Sequence, residues 1–241
     1  MKTAIISDIH GNAVALREVM ASIEKAGADQ IICLGDIIGY GPEPEAVMQT
    51  IITRNIPSVI GNHELAIKQP AFLEWFNLNA RISLEKTKEM LTEESLAFID
   101  DMPNFIAENR CRYVHGYPPD SPTIYLFEMA DEQIAETLRE LKEHVCFIGH
   151  THELVLVSCG DDGIERRILH REVIDIEPEK KYIINAGSVG QPRDGNNYAK
   201  YLIYDDEKDQ VTVKFVPYNI NETISKIYQA GLPEQHAWRL L

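Results

Sequence analysis

Positive charge is scarce in this chain of 241 residues: 23 Lys and Arg stand against 38 Asp and Glu, a formal net charge of -15. Recognition of a nucleic-acid strand or an anionic membrane runs on clustered Lys and Arg, so this balance disfavours both and leaves room only for a locally positive pocket. Cysteine is also sparse. Cys33, Cys111, Cys146 and Cys159 form no CxxC pair, which argues against a zinc ribbon or a disulfide framework. Cys33 and Cys146 sit inside apolar runs and read as reduced core thiols. No stretch approaches the roughly 18 apolar residues of a membrane span. Asp8 interrupts the first apolar run too early for a secretory leader, and a cytoplasmic protein is the expectation.

A chain of this length buries roughly three quarters of its unfolded surface, enough for one large core. Its first third repeats one pattern. Thr3 to Ile6 is apolar and ends at Asp8-Ile9-His10; Ile31 to Leu34 ends at Gly35-Asp36; Pro57 to Ile60 ends at Gly61-Asn62-His63-Glu64. Between them lie helical patterns, with Val14, Leu16, Val19, Met20 and Ile23 on one face of the first and Glu43 to Arg54 as the second. Strand, polar cluster, helix, repeated, predicts a parallel sheet core with ligands outside the strands' carboxyl ends. Residues 72–101 read as a helical insert, with Trp75, Phe76 and Phe98 assigned to the core. A hairpin is expected about Glu108-Asn109, a helix over 131–143 and a buried strand at Val145 to Ile148. Later residues turn to short β runs, a hairpin across Asp205-Asp206, and a last helix ending near Gly231. No linker divides them. The expectation is one domain over 1–241, with two sheets face to face and helices outside.

The chemistry gathers at predicted strand ends. Gly149-His150-Thr151-His152 follows the Val145 strand, and alternation along an extended segment lets His150 and His152 face one site. Paired imidazoles suit a first-row transition metal. Each cluster alone has a plainer reading: Asp8 or Asp36 as a helix cap, Asn62 in a turn, His115 after a β run by chance. Together, Asp8-x-His10, Gly35-Asp36, Gly61-Asn62-His63, His115 and Gly149-His150-x-His152 take five of the eight histidines. His144, His170 and His236 fall outside and read as surface residues.

That ordered set, from residue 8 to residue 152, resembles the calcineurin-like metallophosphoesterase superfamily, in its small bacterial and archaeal phosphodiesterase-like branch. The resemblance implies an α/β (α+β) four-layer αββα sandwich, two mixed β-sheets flanked by helices with the metal site at strand C-terminal ends. It further implies Asp8, His10 and His152 on one divalent metal, Asn62, His115 and His150 on a second, and Asp36 bridging both. Such sites hold two cations roughly 3.5–4 Å apart and generate hydroxide near neutral pH. Metal-bound hydroxide then attacks phosphorus in line, and His63 stands at the catalytic histidine that protonates or stabilises the leaving oxygen. A mixed Asp/His/Asn set accepts manganese, iron, zinc or cobalt, with manganese the expected metal.

The departures narrow the choice. Relatives that act as Ser/Thr protein phosphatases or symmetrical diadenosine tetraphosphatases extend the second motif with an arginine, preceded in the former by an aspartate that pairs with the catalytic histidine. Here Gly39 and Tyr40 stand in those places, which weakens both assignments. The turn Asn185 to Arg193 also resembles the phosphodiesterase-like branch, and its N–H groups and Arg193 are candidates for phosphate binding, with a purely structural turn as the alternative. The expected function is a binuclear-metal phosphoesterase for phosphodiesters or small nucleotide-like substrates. A phosphomonoesterase of a small metabolite and a non-catalytic interaction scaffold are the alternatives. The partner is a small phosphorylated substrate, without membrane or nucleic acid.

Overall fold

A computed structural model describes residues 1–241. The chain runs through β1 (Lys2–Ile6), α1 (Ala13–Ala26), β2 (Gln30–Cys33), α2 (Pro44–Thr53), α3 (Asn62–Lys68), α4 (Leu78–Met90) and α5 (Glu93–Asp101). It continues through β3 (Phe105–Glu108), β4 (Cys111–Val114), α6 (Asp131–Glu140), β5 (Val145–Ile148), β6 (Val155–Gly160), β7 (Gly163–Ile168) and β8 (Val173–Asp175). The last elements are β9 (Lys181–Asn185), β10 (Ala199–Asp205), β11 (Gln210–Val216), α7 (Ile220–Gln229) and α8 (Glu234–Trp238). No helix is long and apolar enough to cross a membrane.

Two mixed sheets form, in the orders β2-β1-β10-β11-β8 and β3-β4-β5-β9-β6-β7. β1 and β2 are parallel, as are β4, β5 and β9; the other pairs are antiparallel. Side-chain alternation builds the layers. In β1, Ala4 and Ile6 pack with Leu16 and Val19 of α1 and Val47 of α2, while Ile5 faces the other sheet. In β5, Val145 and Phe147 face that same interior, and Cys146 and Ile148 turn outward onto Ile134 and Leu138 of α6. Each central strand is therefore apolar on both faces, which is why these runs carry no polar alternation. The result is the four-layer arrangement with helices on both outer faces. The four cysteines are free, three of them buried.

Several local expectations change. Pro57 to Ile60 is not a strand: it touches β2 through one bridge, Cys33 to Ser58, and then leaves so that the Ile60 N–H donates to the Pro103 carbonyl. Pro57 has no N–H for a ladder, and only its carbonyl pairs, with the Cys33 amide. The third motif opens α3, and β8 and α8 are further elements beyond the expected ones. Trp75 is not core but 72% exposed, whereas Phe76 and Phe98, both partly buried, pack on the core as expected. His236 is buried, not at the surface, because α8 folds it back against Tyr40 with ring centroids 4.8 Å apart.

Candidate metal centre

The parallel strands end side by side, and the residues just beyond them converge. Asp8 follows β1, Asp36 follows β2, His115 follows β4, and His150 and His152 follow β5. Asn62 and His63 come from the first turn of α3. The turns are unusually sharp. Asp8, His10, Asp36, Tyr40, His150 and His152 all have positive φ, between 49° and 69°. A left-handed backbone at a non-glycine residue typically costs about 1–3 kcal/mol and persists only where the surroundings impose it. Six such residues in one cluster mark a site shaped for something other than stability. Gly149 is required there, since a Cβ would lie 2.0 Å from Ser7 Oγ and 2.5 Å from Asp8 Oδ2.

Two groups of ligand atoms form, each within 4.8 Å: Asp8, His10, Asp36 and His152, and Asp36, His115 and His150. Asp36 belongs to both. Its Oδ1 accepts from the His63 amide at 2.9 Å, capping α3, while Oδ2 lies 3.3 Å from His115 Nε2, 3.7 Å from His10 Nε2 and 3.9 Å from His63 Nε2. Helix capping and facing the site are thus divided between its two oxygens. Asp8 is split the same way. Oδ2 accepts from Ser7 Oγ and the His150 amide, and Oδ1 is buried without a hydrogen-bond partner, 3.2 Å from His152 Nε2.

The imidazoles are oriented from behind by backbone carbonyls. Nδ1 of His10 lies 3.0 Å from Ile38 O, that of His115 2.7 Å from Leu34 O, and that of His152 2.5 Å from Gln191 O. A carbonyl only accepts, so each Nδ1 carries the proton and each Nε2 turns a lone pair into the site. His150 is reversed: Nε2 donates to Thr123 O at 3.2 Å, and Nδ1 faces inward. Lone pairs consequently confront one another. His10 Nε2 and His152 Nε2 are 3.0 Å apart; His115 Nε2 is 3.2 Å from His150 Nδ1 and 3.1 Å from Asn62 Oδ1. Acceptors packed against acceptors, with the Asp8 oxygen unpartnered beside them, call for cations, and the residues present fit them.

The electrostatics agree. Burial depresses His10, and burial reinforced by the neighbouring His115 brings His150 down to about 3, so both are neutral donors. Burial alone would raise the Asp8 and Asp36 carboxyls, but His152 beside the one and His115 and His63 beside the other hold both below the usual carboxylate range. His115 moves oppositely: the charge of Asp36 outweighs its burial and raises it, so its Nε2, 3.3 Å from Asp36 Oδ2, takes up either a cation or a proton.

His63 sits apart from the ligand groups. Burial pushes it down to about 4, and its Nδ1 has no partner. The space an orienting carboxylate would need is closed by Gly39, where a Cβ would stand 2.1 Å from that nitrogen. Aromatic rings hold His63 instead, Tyr40 at 4.5 Å and Phe76 at 4.9 Å. Glu64 is the residue whose importance the sequence did not reveal. Its buried carboxylate accepts from the amides of Asp36, Ile37, Ile38 and Gly61 at 2.8–3.1 Å, tying the second motif to the third. Burial, reinforced by the charge on Asp36, pushes its carboxyl up to about 7 against the pull of those donors.

Arg193 is exposed, and its guanidinium donates to Gln191 Oε1 at 3.2 Å. The rest of its turn is inward-facing: the amides of Gly187, Val189, Gly190 and Gln191 donate to Asn185 Oδ1, Ser7 O, Asp8 O and Ser188 Oγ. These N–H groups brace the metal-site loops and are not free for phosphate. Beside the site, a cleft of about 570 Å³ is lined by Tyr40, Phe72, Trp75, Phe76 and Tyr125 together with Asn62 and His150.

The model of the calcineurin-like phosphoesterase superfamily domain matches residues 1–209. The Methanocaldococcus jannaschii protein MJ0912 is 36% identical over 243 residues, covering 98% of this chain and 96% of the relative. The crystal structure of a metallophosphoesterase from Sphaerobacter thermophilus superposes with a TM-score of 0.84 at 36% identity, covering 100% of this chain and 98% of the other. The Escherichia coli phosphodiesterase YfcE is 26% identical over 132 residues, 49% of this chain and 71% of its own length.

Proposed function

The chain belongs to the calcineurin-like phosphoesterase superfamily, and from that premise we propose that it is a binuclear-metal phosphoesterase whose substrates are phosphodiesters or small nucleotide-like molecules. The observation that carries this reading is the pair of ligand groups sharing Asp36, with histidine lone pairs converging where no protein donor answers them. Asp8, His10, Asp36 and His152 hold one divalent ion; Asp36, Asn62, His115 and His150 hold the other. Two such ions would polarise phosphoryl oxygens and lower the pKa of water toward neutrality. Manganese suits the mixed oxygen and nitrogen donors.

The chain's own residues do the rest. Asp8 and Asp36 set the charge of the centre at about +2 when two divalent ions are bound, enough to attract a phosphate in an otherwise acidic protein. His63, buried with its Nε2 3.9 Å from Asp36 Oδ2, serves the leaving oxygen in this reading, as a neutral ring whose N–H stabilises the developing charge. With Nδ1 partnerless, the ring is oriented by Tyr40 and Phe76 rather than by a carboxylate. Arg193 contributes an exposed guanidinium to the substrate's remaining charge. The whole chain acts as one domain, since the facing sheets share a core of 20 buried residues. Its free cysteines suit the cytoplasm.

Similarity to YfcE over half the chain supports diester chemistry. The test is manganese-dependent hydrolysis of bis-p-nitrophenyl phosphate beside p-nitrophenyl phosphate. Faster diester cleavage, abolished by chelator, is expected. Faster monoester cleavage would make the enzyme a phosphomonoesterase, and no turnover by protein holding both metals would remove the assignment.

A further inference from the structure

The helical insert changes character where it meets the site. Phe72 and Trp75 pack edge to face at 4.9 Å, and Phe76 reaches from the same turn to the His63 ring. Across the cleft, Tyr125 stacks on His150 with centroids 3.8 Å apart and planes 18° from parallel. Trp75 is 72% exposed and lines the cleft, so its ring is open to a bound molecule. The cleft adjoins the candidate metal centre, because it is lined by His150 of the second ligand group and by Asn62, whose Oδ1 lies 3.1 Å from His115 Nε2.

We infer that this aromatic cleft holds the base of a nucleotide whose phosphate lies at the metal centre. The inference rests on the proposed phosphoesterase reading and narrows its substrate class. Three features choose a base over an acyl chain or a polymer. The walls are largely aromatic, with the exposed Trp75 ring open for a flat ring to pack on, and a cleft of about 570 Å³ lies within the roughly 300–1,000 Å³ typical of small-molecule sites. Asn77 and Glu128 add polar groups at the rim, which an acyl chain would desolvate without return and a base edge can engage. No Lys or Arg lines the cleft, so it offers nothing to a further run of phosphates. The anionic end of the ligand therefore belongs at the metals and Arg193, and the neutral aromatic end in the cleft.

Trp75 and Trp238 are the two tryptophans, which makes the test direct. In manganese-loaded Trp238→Phe protein, emission reports Trp75 alone. AMP should quench it saturably, and ribose 5-phosphate, which carries the phosphate without the base, should not. By calorimetry, AMP should bind about tenfold or more tighter than ribose 5-phosphate. Trp75→Ala should weaken AMP roughly five- to 150-fold, the range of one base–aromatic stack, and Trp75→Phe should restore most of it. Equal affinities for AMP and ribose 5-phosphate, or equal losses for both in Trp75→Ala, would overturn the inference. Because the readout is binding, it is independent of hydrolysis: failure to cleave bis-p-nitrophenyl phosphate would sink the phosphoesterase reading, whereas loss of base discrimination would sink this one.

Discussion

Glu64 offers the sharpest test of how the site is built. Its carboxylate takes four backbone N–H donors, two on each oxygen: Ile37 and Ile38 on Oε1, Asp36 and Gly61 on Oε2. All are buried, and they fix the loop in which Asp36 adopts a φ of 49°. Glu64→Ala removes every acceptor at once. An unsatisfied buried donor costs about 1–3 kcal/mol, so four would cost roughly 4–12 kcal/mol if none were rescued. Water entering the vacated space can meet about two, which leaves an expected loss of about 4 kcal/mol. For a chain of this size each kcal/mol lowers Tm by about 2–4 °C, giving a fall of roughly 8–16 °C. Glu64→Gln keeps one oxygen but turns an amide N–H₂ toward the other donor pair, and should lose about half as much. Thermal unfolding in excess chelator separates this from metal binding, and manganese titration of the same variants should show weaker affinity through the displaced Asp36. A Tm for Glu64→Ala within 3 °C of the parent, or a Glu64→Gln protein as stable as the parent, would refute the role assigned to these four bonds.

Other outcomes follow from the same geometry. His63→Ala should retain both metals, since His63 is outside the ligand groups, and lose about 10²–10⁴-fold in kcat; unchanged turnover in metal-replete protein would remove it from catalysis. Arg193→Ala should raise KM roughly two- to fivefold with metal content intact, because an exposed charge contact contributes about 1 kcal/mol or less; an unaltered KM would leave the turn purely structural. His236 is held down at about 4 by burial and has an unpartnered Nδ1. Its folded pKa is below the unfolded value of about 6.5, so the unfolded chain binds the extra proton between them. The contribution of neutral His236 should be complete above that window and disappear as pH falls from about 6.5 toward 4. Chemical denaturation of His236→Phe should show a shallower acid dependence over that range, and an identical profile would contradict the assignment.

The sequence made the candidate metal centre legible because its residues are local to strand ends. Each ligand sits within a few residues of an apolar strand end, and the βαβ repeat brings those ends together wherever the helices pack. The family resemblance added what spacing alone leaves open, the sharing of Asp36 and the place of His63. What stayed hidden depends on long-range packing. Trp75 belongs to a helical, aromatic stretch that reads as core, yet it is 72% exposed while its neighbour Phe76 packs against His63 and the core. His236 lies 196 residues from Tyr40 and is buried because α7 and α8 fold back over the site. Glu64 reads as an interchangeable acid until the four amides aimed at it are seen. The Pro57 segment failed as a strand for a local reason that was readable: a proline at its start and one usable pairing position.

The central claim is that two cations share Asp36, and a crystal of the manganese-loaded protein tests it most directly. Anomalous scattering should show two peaks roughly 3.5–4 Å apart, one among Asp8, His10 and His152, the other among Asn62, His115 and His150, with Asp36 between them. A single peak at full manganese saturation, or none within reach of Asp36, would contradict the account.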